Sequence, residues 1–582
     1  MKNKYFLFVL VIVFIITLIK PLRVFACTIF SAKDKNGNVW FGNNEDASFS
    51  FKNYINVFPK TKKIKFGYYT LSRDKPENGE NSQIAGGMNE AGLMYDFNAL
   101  ELYPVKDMYL KKEFPNGDNA ILSYILANFE TVEEVVSFFQ KYWFQFGFRS
   151  AQMYLADRFG HFAIISPTGS RILTNDNFQI STNYDICSNA DSTTCWRYPL
   201  AQSILKTHQP SLEVFTDICK KTAQGRHTIY SSVSNLKTGE ISFYFAGDYR
   251  NSYQTNIHGL LEEGRKSYLL GDLIPNNPIV LTYNTYKTKG IDAAYKIYTQ
   301  MEISGDFKNI LLPNLIEYFI TEINNYDIYP FLLEYVNTNN ADYDLLLVKA
   351  AIEVQKNYVE QAHATIADCI KKFPQKKEIT NIFFSRINGQ FEKDANATFI
   401  LEGHVNAKFV IIKSVPSSSN FYPFNNLTFM IKKDGNWVSK LRLSNGIYNY
   451  KFSVDGQEVL SKSSSVKVVE NLLGKKIKCN QLCIGFSEKT YPLNIELTVP
   501  NKEDEVYIVG NQESIYRSPI IFMKKSSDYQ RTIAVDVHYP AIFKFVTGAG
   551  KKEAIVKGVD KNQSILIDST ISSNKYEIIG WR

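Results

Sequence analysis

Apolar and polar residues alternate in several short stretches of the N-terminal half of the chain, a pattern typical of β-strands with one buried face. Two longer stretches, 119–146 and 198–222, instead have apolar residues at helical spacing. Because strands and helices come in mixed blocks, the pattern predicts a layered α+β domain over 27–260 rather than a regular βαβ repeat. The predicted strands are Thr28–Ala32, Val39–Phe41, Met153–Ala156, Phe162–Ser166 and Ile241–Ala246.

The pattern changes to helices between 277 and 392. One stretch has small and large residues at the spacing of a tetratricopeptide (TPR) unit, which interlocks two antiparallel helices. An independent solenoid normally needs about three stacked repeats, so the sequence predicts a helical, TPR-like spacer or docking domain. The residues at this spacing are Ala350, Ala362, Ile366, Cys369 and Pro374.

Short strands and turns fill the remainder and predict two successive β-sandwiches, at 393–470 and 490–582. The first contains Asp434–Trp437 and Gly446–Gly456 and resembles the glycogen-binding module of AMP-activated kinase β subunits and glycogen-branching enzymes. The second, with Val506–Asn511, is similar to a starch-binding module. These resemblances imply at most a weak contact with carbohydrate.

The tryptophans on which sugars stack in these families are missing here, where the chain has Phe424, Asn425, Asn426 and Gly550. Stacking on an exposed aromatic face contributes much of the binding at such sites. We therefore expect weak or no affinity for starch. In a pull-down on granular starch the protein should stay in the supernatant, and clear retention would contradict this prediction.

Charge and composition exclude several classes of function. The net charge is +8 over 582 residues, and Lys and Glu alternate along most of the chain. The basic excess therefore predicts a solvated surface and no nucleic-acid partner. There is no P-loop or GxGxxG motif, the seven histidines are scattered, and Cys479 and Cys483 lack a second pair for zinc. We expect no cofactor and no metal ion.

The N-terminus has the pattern of a secretory signal peptide over residues 1–26. Two lysines precede an apolar run, Tyr5–Ile19, which is shorter than the roughly 20 residues that span a bilayer as a helix. Cleavage after Ala26 would make Cys27 the first residue. We expect a secreted or periplasmic protein with no integral membrane segment after cleavage. Lipid modification of Cys27 is the rival interpretation, but Phe25 fits a lipoprotein signal poorly.

An N-terminal cysteine gains chemistry from its own α-amine. The Asn36-Gly37 pair predicts a tight hairpin turn, and a turn centred there places Asp46 opposite Cys27. The Asp46 carboxylate would then hold the free α-amine of Cys27. Since an α-amine titrates at a pH of about 8 and a thiol at about 8.5, the amine can take the thiol proton without a histidine.

This region resembles the N-terminal-nucleophile (Ntn) hydrolases of the choloylglycine hydrolase, penicillin V acylase and isopenicillin-N acyltransferase type. The resemblance covers about 27–255 and implies an αββα sandwich that hydrolyses a linear amide bond of a small N-acylated compound. The matching segments are Cys27-Thr28, Gly42-Asn43-Asn44-Glu45-Asp46, Gly87-Met88-Asn89-Glu90-Ala91-Gly92-Leu93, Asn98, Ser181-Thr182-Asn183 and Trp196-Arg197-Tyr198.

The resemblance also implies a role for each site residue. Cys27 would attack the amide carbonyl while its α-amine moves the proton, and Asp46 would orient that amine. Asn98 and Asn183 would donate hydrogen bonds to the tetrahedral oxyanion. Arg197 would lie near Cys27 and favour the thiolate.

One substrate-binding position departs from the family. Bile-salt hydrolases and penicillin V acylases have Arg where this chain has Asn43, and a neutral amide cannot pair with a carboxylate in the same way. Acyltransferase-like members have a neutral amide there, so acyl transfer to an amine stays open beside hydrolysis. From a different class, a surface carbohydrate-binding scaffold with an inactive hydrolase domain is the further alternative.

Two other cysteines predict a covalent link near the site. Cys187 and Cys195 lie between Asn183 and Arg197, and in an exported protein we expect a disulfide between them. Such a short loop would stabilise the fold by about 2 to 3 kcal/mol.

Overall fold

A computed structural model describes residues 27–47, 52–73, 75, 84–100, 111–112, 114–115, 118–142, 144, 150–174, 176–188, 195–301, 305–321, 326–337, 343–391, 393–415, 427–470, 476–512, 523–547, 552–560, 564–567 and 573–582. The expected signal peptide and the expected sugar-stacking positions 424–426 and 550 lie outside the described residues. Within them, no helix is long and apolar enough to cross a membrane.

The N-terminal region is mixed helix and sheet, as the sequence predicts. All five strands expected from alternation are present, and each stretch of helical spacing forms two helices. The strands are β1 (Thr28–Lys33), β2 (Val39–Asp46), β3 (Tyr54–Phe58), β4 (Tyr68–Ser72), β5 (Ile84–Asn89), β6 (Met94–Ala99), β7 (Ala151–Ala156), β8 (Phe162–Ser166), β9 (Gly169–Leu173), β10 (Phe178–Ser181), β11 (Thr228–Asn235), β12 (Glu240–Phe245), β13 (Asp248–Asn256) and β14 (Lys266–Leu269). The helices are α1 (Asp118–Asn128), α2 (Val132–Lys141), α3 (Arg197–Thr207), α4 (Leu212–Thr222) and α5 (Ile257–Glu262).

These elements form four layers, α/β/β/α. One sheet has the order β10-β1-β2-β11-β12-β13 and the other β14-β3-β4-β5-β6-β7-β8-β9. Phe41 of the first sheet meets Tyr154 of the second edge to face, in the core between them. Helices α3 and α4 cover the outer face of the first sheet, where Phe30 packs on Phe215, and α1 and α2 cover the outer face of the second.

The first hairpin closes one residue earlier than the sequence predicted. The backbone N–H of Asp34 donates to Asn38 O at 3.0 Å and that of Gly37 to Asp34 O at 3.1 Å, with Gly37 at φ +75°. The Asp34 carboxylate accepts from the backbone N–H groups of Asn36 and Asn38, both at 2.8 Å. This carboxylate fixes a three-residue loop, so Thr28 pairs with Asn44.

The one-residue shift changes which residue faces Cys27. Continuing the pairing of Thr28 with Asn44 places Glu45, and not Asp46, opposite Cys27. Side chains alternate between the two faces of a strand. Glu45 therefore points between the sheets on the same side as Cys27, and Asp46 points towards the helices. The expected placement of Asp46 opposite Cys27 was wrong.

The region from 278 to 387 is helical, as predicted. Its helices are α6 (Pro278–Lys289), α7 (Ile291–Gln300), α8 (Gly305–Thr321), α9 (Tyr329–Asn337), α10 (Tyr343–Gln355), α11 (Val359–Lys372) and α12 (Lys377–Ile387). Ala350 of α10 and Ala362, Ile366 and Cys369 of α11 are buried, as expected for two interlocked helices. The TPR-like identity of this pair stays a prediction.

The helical region shares a core with its neighbours. Apolar side chains of α6, α8 and α9 belong to one buried cluster with the space between the two sheets, and Tyr326 continues it to Phe409 and Phe429 of the next module. Asn277, which caps α6, also donates to Phe245 O at 2.8 Å. The helices are therefore packed against the mixed domain.

Two β-sandwich modules follow. The first contains β15 (Ala397–Glu402), β16 (Val410–Ser414), β17 (Ile431–Lys433), β18 (Asn436–Leu441), β19 (Gly446–Val454), β20 (Gln457–Val459), β21 (Val466–Glu470) and β22 (Lys476–Ile484). Because β22 pairs with β19 and β21, this module extends beyond the expected boundary at 470. The second contains β23 (Tyr491–Thr498), β24 (Tyr507–Gly510), β25 (Lys524–Ser527), β26 (Gln530–Val537), β27 (Ala541–Thr547), β28 (Lys552–Val556), β29 (Ile565–Ile567) and β30 (Ser573–Trp581).

Candidate active site

Cys27 lies at the start of β1, in the middle of the four-layer domain. Its side chain is 7% exposed, and its Sγ lies 3.3 Å from Glu45 Oε2. Burial raises the pKa of the Cys27 thiol well above its usual value, and the carboxyls of Glu45, Asp46 and Asp96 raise it further. The backbone N–H of Asp46 donates to the thiol and opposes this shift. Burial and these carboxyls therefore favour the protonated thiol.

The backbone carbonyl of Cys27 is held by two donors from other elements. Asn98 Nδ2, on β6 of the facing sheet, donates to it at 2.9 Å. Arg197, the first residue of α3, donates from one guanidinium nitrogen at 3.1 Å. Two buried donors fix the position of the Cys27 backbone, so the structure brings together three of the residues that the sequence singled out.

Arg197 also connects the other predicted residues. The nitrogen that contacts Cys27 donates to Thr28 Oγ1 at 2.9 Å and lies 3.6 Å from Asp46 Oδ2. The second terminal nitrogen donates to Asn183 Oδ1 at 3.0 Å. Because Arg197 and Asp46 are both buried, this ion pair is poorly screened by solvent.

Asp46 has a complete set of partners on the helix side of β2. Gln224 Nε2 donates to its Oδ2 at 2.7 Å and Thr228 Oγ1 to its Oδ1 at 2.5 Å. Burial raises the pKa of Asp46 to about 7, although Thr228, Gln224 and Arg197 all lower it. The expected role of Asp46, orienting the α-amine of Cys27, stays a prediction.

The raised pKa of Asp46 predicts a pH dependence of stability. Between its unfolded pKa of 3.8 and a folded pKa of about 7, the folded protein binds more protons than the unfolded chain. The free energy of unfolding should therefore fall as the pH rises through this window, by a few kcal/mol at most since one pKa unit corresponds to about 1.4 kcal/mol. Urea unfolding at pH 5 and pH 8 should show a smaller fall for Asp46→Asn than for the wild type. A fall as large as in the exposed control Asp217→Asn would contradict this.

The two asparagines proposed for the oxyanion are oriented by neighbours that the sequence did not reveal. Ser181 Oγ donates to Asn98 Oδ1, and Gln152 Nε2 in turn donates to Ser181 Oγ at 3.0 Å. Asn183 Nδ2 donates to Ala99 O at 2.6 Å. Each amide nitrogen has a second hydrogen besides the one in these bonds, and the expected oxyanion role of both asparagines stays a prediction.

Asn43 points between the sheets towards the facing sheet. Its Nδ2 donates to Asp96 Oδ2 at 2.7 Å, and both residues are fully buried. Sequence reasoning missed Asp96, and it missed Glu45 as a neighbour of the thiol. The alternation of β2 was the available signal for Glu45, because Asn43 and Glu45 share a face once the register is right.

The expected disulfide between Cys187 and Cys195 is not formed, and both are free thiols. The Asp185 carboxylate accepts from the backbone N–H of Cys187 at 2.9 Å, and Cys187 Sγ points to Ile164 O on β8, 4.0 Å away. This turn directs the Cys187 side chain to the second sheet. The prediction was wrong.

One group among the described residues has the composition of a metal site. Ligand atoms of Glu133, Asp157 and His161 lie within 4.8 Å of one another. However, the Asp157 carboxylate already accepts from the backbone N–H groups of Val132, Phe159 and His161, at 3.0 to 3.2 Å. This is the geometry of a turn that caps the start of α2, and it accounts for the cluster without an ion.

A cavity of about 580 Å³ opens beside β10 and is lined by residues that include Gln179, Tyr184 and Tyr198. Gln179 pairs with Ser31, four residues along β1 from Cys27, or about 13 Å at the rise of a strand. The wall at Gln179 therefore lies apart from the thiol, whereas Tyr184 and Tyr198 are next in sequence to Asn183 and Arg197.

No family model matches the chain, and no curated protein matches it. Among solved structures, it is similar to a variant of conjugated bile acid hydrolase from Clostridium perfringens, at 18% identity and a TM-score of 0.32, over 42% of this chain and 96% of that one. Penicillin V acylase from Agrobacterium tumefaciens gives 20% identity and a TM-score of 0.32, over 41% and 90%.

A weaker similarity concerns a family 26 carbohydrate-binding module from Eubacterium rectale, solved with maltoheptaose. It has 11% identity and a TM-score of 0.13, over 32% of this chain and 91% of that one. Identities and TM-scores this low do not transfer an activity. What this chain does has to follow from its own site.

Proposed function

We propose that this chain is a cysteine amide hydrolase of the N-terminal-nucleophile type, active on a small N-acylated compound once Cys27 has become the first residue. The observation that supports it most is the arrangement around Cys27, whose carbonyl is held by Asn98 and Arg197. A buried thiol, two asparagine side chains and a buried arginine converge at one strand end. A cysteine nucleophile with nearby hydrogen-bond donors is an arrangement that acyl transfer through a thioester can use, with the α-amine of Cys27 as the base.

In the first step the Cys27 thiol gives its proton to the free α-amine of the same residue, and Sγ bonds to the substrate carbonyl carbon. The C=O electron pair moves to oxygen, and the free N–H groups of Asn98 and Asn183 donate to the resulting oxyanion. Loss of one such donor typically costs about 10²- to 10³-fold in rate. Both donors are held in place beforehand by Ser181 and Arg197.

In the second step the C–N bond breaks, and the leaving nitrogen takes the proton back from the α-ammonium group. Water then attacks the thioester and gives its proton to the α-amine, releasing the acid and the thiol. The same acyl-enzyme would acylate an amine in place of water, so the two reactions differ only in the acceptor.

The uncleaved chain is a latent form in this proposal. Before cleavage the nitrogen of Cys27 is in a peptide bond with Ala26 and cannot accept a proton. The pKa of the thiol, raised by burial and by three carboxyls, then keeps Cys27 protonated. Removal of an export signal would activate the enzyme outside the cytoplasm.

The test combines the mature N-terminus with a substrate panel. Protein starting at Cys27, confirmed by intact mass, is incubated with N-acyl amino acids and N-acyl 4-nitroanilides. We expect release of free acid and stoichiometric alkylation of Cys27 by iodoacetamide. Products formed only when a second amine is added would instead indicate a transferase. A lipid mass on Cys27, or no turnover of any amide, would contradict the proposal.

A further inference from the structure

The wall that faces the Cys27 thiol is rich in hydrogen-bond acceptors. Glu45 Oε2 lies 3.3 Å from Sγ, and Tyr230 of β11 pairs with Glu45 across the sheet. On the facing sheet the Asp96 carboxyl is fully buried. Asn43 joins the two sheets by donating to Asp96 at 2.7 Å. Two carboxyl groups therefore lie in the space between the sheets next to the nucleophile.

Two buried polar atoms at this wall lack a partner. Asn43 Oδ1 and the Tyr230 hydroxyl make no hydrogen bond in the structure, although Asn43 is 0% and Tyr230 3% exposed. An unpaired buried polar atom costs about 1 to 3 kcal/mol. Burial raises the pKa of the Tyr230 hydroxyl, and the charges of Glu45, Asp96 and Cys27 raise it further. Tyr230, Glu45, Asp96 and Cys27 therefore lie near enough to interact electrostatically.

One cation, the Arg73 guanidinium, acts on Glu45, whereas the groups acting on Asp96 include no cation. Burial raises the pKa of Glu45, which the Arg73 guanidinium partly offsets, and burial together with Glu45 raises the pKa of Asp96 well above its usual value. A cation placed between them would let both carboxyls ionise. A primary ammonium group supplies three N–H donors, which match a carboxylate, the Asn43 carbonyl and the Tyr230 oxygen.

We propose that the acyl part of the substrate carries a primary ammonium group, which binds between the sheets near the Cys27 thiol, at Glu45 or, on a longer chain, at Asn43 and Asp96. This inference rests on the proposed amide hydrolase function and narrows its substrate to aminoacyl compounds. Glu45 lies close enough to the thiol to meet an ammonium on the α-carbon. Asn43 is two residues from Glu45 along β2, a distance of about 7 Å, and Asp96 is its hydrogen-bond partner. These two residues would therefore bind an ammonium group at the end of a longer acyl chain.

The experiment uses two pairs of 4-nitroanilides that differ only in charge. L-Alanyl is compared with isobutyryl, and 6-aminohexanoyl with heptanoyl, because a methyl group replaces the ammonium in each pair. In the mature wild type we expect kcat/KM to be at least about tenfold higher for the charged member of one pair. Glu45→Gln should lose most of this preference, and Glu45→Leu should reverse it. The exposed control Glu262→Gln should keep it.

The outcomes separate the two proposals. Preference for the neutral member in both pairs would overturn the inference and leave the hydrolase function standing. An equal loss of kcat on both members in Glu45→Gln would also overturn it, because Glu45 would then act on Cys27 and not on the substrate. No turnover of any of the four compounds would count against the hydrolase function and the inference together.

Discussion

The mature Cys27→Ala variant should hydrolyse amides at least about 10³-fold more slowly than the wild type while keeping its fold. The alanine removes the atom that bonds to the substrate, and no other residue can replace a covalent nucleophile. Cys27 is 7% exposed, and loss of one sulfur leaves only a small cavity. Steady-state kinetics and near-UV circular dichroism measure the two effects separately. Cys483→Ala, in β22 of the first β-sandwich module, is the matched control and should keep full activity.

The α-amine can be tested without touching the thiol. Protein carrying one extra alanine before Cys27 keeps Sγ, Glu45 and both asparagines but has no free amine on the nucleophile. We expect nearly the same loss of activity as in Cys27→Ala. Cys27→Ser should retain only a trace, since an alcohol is the poorer nucleophile at neutral pH. Full activity with the extra residue would mean that another group, of which Glu45 is the nearest carboxylate, accepts the thiol proton.

Local pattern predicted the layers well but not the contacts across them. Alternation located β1, β7 and β8 within one or two residues because each strand buries a face whose side chains repeat every second position. Sequence spacing does not show which strands face each other across the two sheets. The contact of Asn43 with Asp96 on the facing sheet therefore could not be predicted.

An error of one residue in the predicted register of the β1–β2 hairpin changes which side chain lies next to the thiol. The Asn36-Gly37 pair does mark the turn, but the Asp34 side chain accepts from two backbone N–H groups and closes the loop around three residues. A shift by one residue exchanges the two faces of a strand. The side chain next to the thiol is therefore Glu45 and not Asp46. As a result, the carboxyls of Glu45 and Asp96 both lie between the sheets.

Some of the other site residues were identified by the family resemblance, and others only by the structure. Asn98 and Arg197 came from the family resemblance, and the structure places both on the Cys27 carbonyl. Ser181 was part of a matching segment, but its hydrogen bond to Asn98 was not foreseen. Gln152, which donates to Ser181, carries no sequence signal because a lone Gln in a strand is common. Their role is visible only when β6, β7 and β10 are seen together.

Arg197→Met should lower the free energy of unfolding by about 1 to 3 kcal/mol, because buried oxygen atoms lose a donor. The Asp46 carboxyl, whose pKa is already about 7, also loses its cation and takes up a proton. The guanidinium also contacts the Cys27 carbonyl, Thr28 and Asn183, so activity should fall by at least about 10²-fold. Arg197→Lys should recover part of the stability but little activity. The planar guanidinium of Arg reaches several acceptors at once, and the single ammonium group of Lys cannot. Urea denaturation and kcat measure these effects.

Two controls separate the charge of Arg197 from its contacts. Arg442→Met breaks an ion pair with Asp394 whose side chains are 68% and 56% exposed, so it should cost less than about 1 kcal/mol. Asp46→Asn combined with Arg197→Met removes both buried charges and should be more stable than Arg197→Met alone. Activity should not return in the double variant, because Asn183 loses the Arg197 donor and the Cys27 carbonyl keeps only the donor from Asn98. A double variant as unstable as the single one would show that Arg197 stabilises the domain through its hydrogen bonds and not through Asp46.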